Sequence, residues 1–208
     1  GLSFKLNIHF SQSDNFPLFK RLPYDHENND MAYRLANAYE VTYQNFEKMG
    51  VAISYQGDYL CAEVAQLVPA RLVLEYPSVG ATENILMAAV LADGVTVIDN
   101  AAREPEIGDL CNMLNNMGAN IAGVGTVKLT ITGVSPSALH AVTHEVINDR
   151  VQAATYIAAV AVTGGDVFVR GARAEHMEML LNRYAEMGVS ITPQSDGLRV
   201  VASDRLRS

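Results

Sequence analysis

The sequence reads Tyr76-Pro77-Ser78-Val79-Gly80-Ala81-Thr82-Glu83-Asn84 and then continues through eight apolar residues, Ile85 to Ala92. Pro77 keeps the residue before it extended, and Ser78 or Thr82 can cap a helix. Gly80 lets the backbone come close to a ligand. The segment therefore predicts a strand, a tight turn and a helix whose first N–H groups are free. Such a helix start suits a phosphate, although small residues are also common where a turn is purely structural.

The composition is that of an ordinary globular protein long enough to bury a large core, with 208 residues of which 49% are hydrophobic and 18% charged. A net charge of −8 argues against a broad surface for nucleic acid or anionic membrane. The longest apolar run has eight residues, too few to span a membrane, and the N-terminus has no signal-peptide pattern. We therefore expect a cytoplasmic protein with no nucleic-acid or membrane partner. A chain that opens on Gly1 suggests a fragment of a longer protein.

Cysteine and histidine usage implies neither a metal nor a cofactor. Cys61 and Cys111 lie in apolar or helical contexts, which favours buried structural thiols in a reducing compartment over a disulfide. His140, His144 and His176 are scattered over different predicted elements, so each is interpreted as a surface residue and not as a metal ligand.

A long internal repeat organises the chain. Met-Gly pairs occur at 49/50, 117/118 and 187/188, at spacings of 68 and 70, and each ends a predicted helix that is followed by two strands. The predicted strands are 3–10, 51–55, 59–65, 71–76, 95–99, 119–122, 127–132, 166–170, 189–193 and 197–202. The predicted helices are about 31–49, 82–92, 105–117, 151–163 and 174–187. In the third copy, residues 142–147 precede a turn at 148–150. The pattern indicates an α/β fold of duplicated βαβαββ units around a pseudo-symmetry axis, with small-faced helices packed inside.

Three further segments turn this pattern into a resemblance. The turn at 77–84 is followed by Asn100-Ala101-Ala102-Arg103-Glu104-Pro105-Glu106-Ile107, and then by Asp149-Arg150 and Thr163-Gly164-Gly165-Asp166. Over roughly residues 40–203 the chain closely resembles UDP-N-acetylglucosamine 1-carboxyvinyltransferase, of the enolpyruvyl transferase family. The resemblance implies an inside-out α/β barrel with two domains of three units each and ligands in the cleft between them. By that layout residues 31–140 belong to the first domain and 141–208 form one repeat of the second, with 1–30 unassigned.

The resemblance also implies a function, the transfer of an enolpyruvyl group from phosphoenolpyruvate to UDP-N-acetylglucosamine in peptidoglycan synthesis, without a cofactor. The implied substrate-binding residues are those of the turn, Tyr76, Pro77, Ser78, Val79 and Gly80. The residues implied to line the cleft are Glu104, Asp149 and Arg150. From the residues alone, Glu104 also fits an ordinary helix start, and Asp149 fits either a helix N-cap or a polar contact between domains.

Departures from the family pattern restrict what this chain can do. Ala32 stands where the family has a loop Cys, and residues 37–41 replace its Arg-Pro-Val-Asp-Leu run. The family's N-terminal Lys-Asn pair has no counterpart in residues 1–30, and its general-base Asp and a late phosphate-binding Arg would lie beyond Ser208. We therefore expect no catalytic residue and no turnover in the isolated chain. The alternative is a non-catalytic sugar-nucleotide-binding or interaction module of the same fold.

Overall fold

The computed structural model describes residues 4–8, 41–56, 59–203 and 206. The chain divides into two compact units, an N-terminal unit (Gly1–His144) and a C-terminal unit (Glu145–Ser208), each with its own hydrophobic core. The predicted loop at 11–30, the first part of the predicted helix at 31–49, Ala32 and the Asn37 position lie outside the described residues.

The first elements of the N-terminal unit form a small antiparallel sheet beside a helix. They are β1 (Phe4–Ile8), helix α1 (described over residues 41–48), β2 (Ala52–Gln56) and β3 (Tyr59–Val64), with the strand order β1-β3-β2. Gly50 ends the helix with a φ of +87°, a conformation that glycine adopts without steric cost. The predicted helix end and the predicted hairpin are therefore confirmed.

The second part of this unit is a βαβαββ repeat. Its elements are β4 (Arg71–Val73), α2 (Val79–Ala89), β5 (Val95–Asp99), α3 (Pro105–Asn116), β6 (Asn120–Ala122) and β7 (Lys128–Thr132). The strand order is β4-β5-β7-β6; β4 and β5 are parallel, and the other pairs are antiparallel. Leu72, Ile85 and Ile98, from β4, α2 and β5, are fully buried in the core of this unit.

The C-terminal unit repeats this arrangement with one strand fewer among its described residues. Its elements are α4 (Arg150–Thr163), β8 (Gly165–Arg170), α5 (Glu178–Glu186), β9 (Ser190–Gln194) and β10 (Gly197–Ala202), in the strand order β8-β10-β9. Residues 142–147, where the first strand of the third copy would fall, contain no strand. The core of the unit centres on Ile157, Leu198 and Val200.

The sequences of the two repeats align at a constant offset of 71 residues. This offset holds from the N-cap of the first long helix to the residue after the following strand. Ser78 and Asp149 are the two helix N-caps, and Asn100 and Gly171 follow the two strands with φ values of +59° and +74°. The next strand pairs in the same register, with Val97 opposite Thr130 and Phe168 opposite Arg199. The predicted duplication is therefore present in the structure.

Three predicted elements differ most from the structure. The strand expected over 71–76 ends at Val73, and the helix expected at 82–92 begins at Val79 because Ser78, not Thr82, is its N-cap. The helix expected at 174–187 is broken, since Ala174–His176 form a 3₁₀ turn and Met177 has a non-helical φ of −142°. A second 3₁₀ turn covers Pro136–Ala138. Within the described residues, every helix is too short or too polar to cross a membrane.

Candidate functional site

The turn at residues 76–80 lies at the carboxyl ends of strands β4 and β5 in the four-stranded sheet of the N-terminal unit. Because β4 and β5 are parallel neighbours, the loops that follow them leave the same edge of the sheet, which is where open α/β sheets bind ligands. Two hydrogen bonds join these loops, from Leu74 N–H to the carbonyl of Asp99 (3.0 Å) and from the Asn100 side-chain amide to the carbonyl of Leu74 (2.9 Å). The two motif segments, 76–84 and 100–107, are therefore brought together.

Ser78 caps helix α2 and leaves its first donors free. Its backbone is extended (φ −76°, ψ 121°), and its Oγ accepts from the N–H of Ala81 at 3.3 Å, while its carbonyl accepts from the N–H of Thr82 at 3.0 Å. Within the described residues, the N–H groups of Val79 and Gly80 have no acceptor. These two donors lie at the positive end of the helix dipole, so an anion placed there would gain both hydrogen bonds and a favourable field.

The backbone at Gly80 is open to its surroundings. Gly80 is exposed, and a Cβ placed on it would meet no atom within 4 Å. Its φ lies outside the left-handed region, so the fold itself does not require glycine at this position. What the missing side chain leaves is free space beside the helix start.

Tyr76 and Thr82 hold the turn from inside. Tyr76 packs against the core, its carbonyl accepts from the N–H of Ser78 at 2.8 Å, and its hydroxyl is buried without a hydrogen-bond partner in the described part of the chain. Thr82 is fully buried, and its Oγ1 donates to the carbonyl of Ser78 (2.7 Å) and accepts from the N–H of Ala102 (3.1 Å). Sequence reasoning treated Thr82 only as a cap and missed this connection to the loop after β5.

Glu104 begins helix α3. It is the N-cap residue, with Pro105 in the first helical position, and its Oε2 accepts from the N–H of Arg103 at 2.9 Å. The interpretation as a helix start is therefore confirmed. Its predicted role in lining a ligand cleft stays a prediction.

Glu83 carries a carboxyl group beside the turn, and the sequence alone did not identify it as a site residue. Burial raises its pKa above 4.5, and the negative charge of Glu106 raises it further. An acid that keeps its proton to higher pH, one residue beyond the buried Thr82, is the kind of group that proton transfer uses. The available signal was a carboxylate inside an otherwise small and apolar helix face, but its neighbour on α3 could not be identified from sequence.

The equivalent helix start in the C-terminal unit is closed by its own cap. The Oδ1 of Asp149 accepts from the N–H groups of Val151 (2.7 Å) and Gln152 (3.2 Å), and Arg150 is the first residue of α4. The N-cap interpretation of Asp149 is confirmed, and an interdomain contact stays a prediction. The carboxylate satisfies the N–H of Val151, which is the equivalent of Gly80, and its negative charge would repel an external anion.

The other side chains with reactive chemistry are the two cysteines and the histidines. Cys61 and Cys111 are free thiols; Cys111 is buried, which raises its pKa to about 11 and keeps it protonated. The expectation of a surface position for His144 was wrong, because its side chain is mostly buried and its Nε2 lies 3.0 Å from Oδ1 of Asp109. The described residues hold no cluster of His, Cys, Asp and Glu suited to a metal ion.

Comparisons with known proteins agree with this architecture. Residues 41–207 match the family profile of EPSP synthase (3-phosphoshikimate 1-carboxyvinyltransferase). The enolpyruvyl transferase NikO from Streptomyces tendae is similar with a TM-score of 0.69 and 21% identity, over 81% of this chain and 43% of that one. EPSP synthase from Acinetobacter baumannii gives a TM-score of 0.54 and 20% identity, over 78% and 38%. The predicted α/β fold class is confirmed, and the chain spans less than half the length of either structure.

Proposed function

Because the chain belongs to the EPSP synthase family of enolpyruvyl transferases, we propose that its Ser78 turn binds a phosphate group of the substrate that accepts the enolpyruvyl group. We propose UDP-N-acetylglucosamine as that acceptor and phosphoenolpyruvate as the donor, which places the parent protein in peptidoglycan synthesis. Pro77, Ser78, Val79 and Gly80 then form the contact with the diphosphate, and Tyr76 holds the turn in place.

One observation carries this proposal: helix α2 begins with the N–H groups of Val79 and Gly80, which have no acceptor in the described residues, and the absence of a side chain on Gly80 leaves open space beside them. The net charge of −8 makes a general attraction for anions weak, so an anionic ligand depends on local donors of this kind. Neither donor requires a side chain.

The choice of acceptor rests on sequence and not on geometry. The family name specifies 3-phosphoshikimate, which also carries a phosphate, so the turn by itself suits either acceptor. The runs at 77–84 and 100–107 resemble the UDP-N-acetylglucosamine enzyme, and this favours the sugar nucleotide.

Catalysis needs more groups than the turn supplies. A proton donor for the enol carbon, a base for the acceptor hydroxyl and cations over the phosphates are required, and Ala32 and Asn37 stand where the family has a Cys and an Arg. The isolated chain should release phosphate from the two substrates more slowly than roughly 0.1 s⁻¹, below the usual range of enzymes. The replacements at Ala32 and Asn37 favour the alternative, a non-catalytic binding module. A rate faster than roughly 0.1 s⁻¹ would rule this alternative out.

The proposal is tested by titrating UDP-N-acetylglucosamine into the isotope-labelled chain and following amide chemical shifts. With less than half of the family's length present, we expect a dissociation constant around millimolar, about 4 kcal/mol of binding free energy. Shifts should concentrate at residues 77–84 and should be lost in Gly80→Val. The fold should tolerate this change, because Val151 occupies the same helix position in α4.

Two control variants separate ligand binding from capping. Ser78→Ala should lower the free energy of unfolding by about 1 kcal/mol but leave most of the binding, since the backbone donors survive. Val151→Gly should not create a second site, because Asp149 still accepts from the N–H groups of residues 151 and 152 and carries a negative charge. Stronger binding of 3-phosphoshikimate than of the nucleotide would overturn the proposed acceptor. An unperturbed turn with either compound, in a folded protein, would leave Ser78 with a structural role only.

A further inference from the structure

In each unit, one side-chain amide joins the segment before the first long helix to the loop after the following strand. In the N-terminal unit the amide of Asn100, which follows β5, donates to the carbonyl of Leu74 at 2.9 Å. In the C-terminal unit the amide of Asn148, which precedes α4, donates to the carbonyl of Gly171 at 3.1 Å. At the offset of 71 residues, Gly171 is the equivalent of Asn100, and Asn148 is the equivalent of Pro77. The same connection is therefore made twice, with the donor on opposite sides.

Asn100 has a backbone conformation that glycine usually supplies. Its φ is +59°, and among the described residues every other residue with a positive φ is a glycine. The equivalent Gly171 has a φ of +74°. Asparagine tolerates the left-handed region, but glycine adopts it at lower cost, so the backbone alone would favour glycine at position 100. The hydrogen bond to Leu74 gives the reason for a side chain at this position.

The point at which the chain leaves β4 for the Ser78 turn is held at two backbone groups. Leu74 is buried, its N–H donates to the carbonyl of Asp99 at 3.0 Å, and its carbonyl accepts from Asn100. A carbonyl that loses its partner inside a protein is costly, so removal of the Asn100 amide favours movement of the segment that carries this carbonyl. That segment leads directly into the turn.

The helix end of the turn is attached to the same loop. Oγ1 of Thr82 accepts from the N–H of Ala102 at 3.1 Å, two residues beyond Asn100. The N–H groups of Val79 and Gly80 lie in sequence between this attachment and the one at residue 74. In the C-terminal unit the equivalent of Thr82 is an alanine at position 153, which has no hydroxyl to make the second attachment. The N-terminal turn is thus fixed to one loop at both of its ends.

We propose that Asn100 is a positioning residue for the phosphate at the Ser78 turn. Its amide fixes the carbonyl of Leu74, and this sets the direction in which the chain enters the turn and in which the N–H groups of Val79 and Gly80 point. Asn100 acts through the backbone of the turn and not through contact with the ligand. This inference rests on the proposed function, because it assigns a further residue to the same site.

The test compares the isotope-labelled parent chain with Asn100→Gly, because glycine keeps the left-handed backbone and removes only the side chain. In the free protein, the amide resonances of Val79 and Gly80 should shift or broaden as the turn samples more than one conformation. A variant that is only less stable would keep these native-state resonances in place while it is folded. In the titration with UDP-N-acetylglucosamine, the dissociation constant should rise roughly tenfold, about the loss of one hydrogen bond to a charged group.

Asn148→Ala is the matched control, since it removes the equivalent amide from the C-terminal unit. It should shift resonances near Gly171, leave those of Val79 and Gly80 in place and leave the dissociation constant unchanged. Urea denaturation of both variants establishes the conditions under which each is folded. The two variants thus lose the same kind of hydrogen bond, and only Asn100→Gly loses it beside the Ser78 turn.

Several results would overturn the positioning role. Unchanged resonances of Val79 and Gly80 in folded Asn100→Gly would show that the turn does not depend on the amide. Shifted resonances with an unchanged dissociation constant would show that binding does not depend on the turn's exact geometry. Equal effects of Asn148→Ala on the turn would indicate a general loss of order.

Failure of the proposed function gives a different result, because the folded parent chain itself would then leave residues 77–84 unperturbed by the nucleotide. Shifts in free Asn100→Gly would in that case assign the amide a structural role only, and the positioning role would be overturned with the site. If the parent binds and Asn100→Gly does not lose affinity, the proposed function stands and only the role of Asn100 is overturned.

Discussion

The two helix starts at Ser78 and Asp149 occupy the same position in the repeat and have opposite consequences for an anion. Ser78 accepts from Ala81, and in the described part of the chain the N–H groups of Val79 and Gly80 have no acceptor, whereas Asp149 accepts from Val151 and Gln152 and adds a negative charge. Both side chains cap a helix, but only the neutral, short one leaves the end open. Both units have thus kept the capped helix start, while the identity of the capping residue sets how many of the first N–H groups it satisfies and which charge lies beside them.

The two units also differ in how much of their first long helix is buried. A pair of equivalent residues, Ile85 in α2 and Tyr156 in α4, measures this difference. Ile85→Ala removes a fully buried side chain and should lower the free energy of unfolding by about 2–5 kcal/mol. Tyr156→Ala, at the equivalent exposed position, should change it by less than about 1 kcal/mol. Urea denaturation followed by circular dichroism gives both values.

Equal losses from the two variants would contradict the interpretation that α4 is less buried than α2. Native-state hydrogen exchange provides the control, because it assigns each loss to one unit. Ile85→Ala should accelerate exchange in β5, and Tyr156→Ala should leave β8 nearly unchanged.

A second, smaller difference between the units is the hydrogen bond by which Thr82 connects α2 to the loop after β5, because the equivalent residue in α4 is Ala153. Thr82→Val should cost about 1–3 kcal/mol of unfolding free energy, because the buried N–H of Ala102 loses its acceptor. Thr155→Val is the matched control: Thr155 Oγ1 donates to the carbonyl of Val151 at 2.8 Å but is exposed, so its loss should cost under about 0.5 kcal/mol. If thermal denaturation gave similar values for both, the link between helix and loop would be unimportant for stability.

Much of the order of helices and strands could be predicted because the sequence signals for these elements are local. Glycine after a helix, Pro105 in a first helical turn and alternation in the strands each depend on a few neighbouring residues, and the Met-Gly spacing revealed the duplication. The Ser78 turn was predicted on the same grounds, and the N–H groups of Val79 and Gly80 at its helix start have no acceptor among the residues that the structure describes.

The features that could not be predicted depend on contacts between segments that are distant in sequence. Residues 142–147 have the spacing of a first strand, but whether a segment pairs is decided by the sheet edge it meets and not by its own residues. The bond from Ala102 to Thr82 joins residues 20 positions apart. The effect of Glu106 on Glu83 likewise arises between two helices, and a contact between helices leaves no local pattern in a single sequence.

The smallest expected effect is the pH dependence that Glu83 gives to the N-terminal unit, since its equivalent in α4, Ala154, has no charge. Burial first, and then Glu106, raises the pKa of Glu83 above 4.5, so the folded chain keeps the proton that the unfolded chain releases. Stability should therefore fall as the pH rises from about 4.5 through the folded pKa. Glu83→Gln removes this loss, so the variant should gain stability over the parent as the pH rises, with the two closest at acid pH. Glu106→Gln should reduce the effect without abolishing it, because burial is the larger cause. Thermal denaturation midpoints between pH 4 and 8 test both, and a difference that grew on acidification would mean that a bonded carboxylate, and not a desolvated carboxyl, occupies this position.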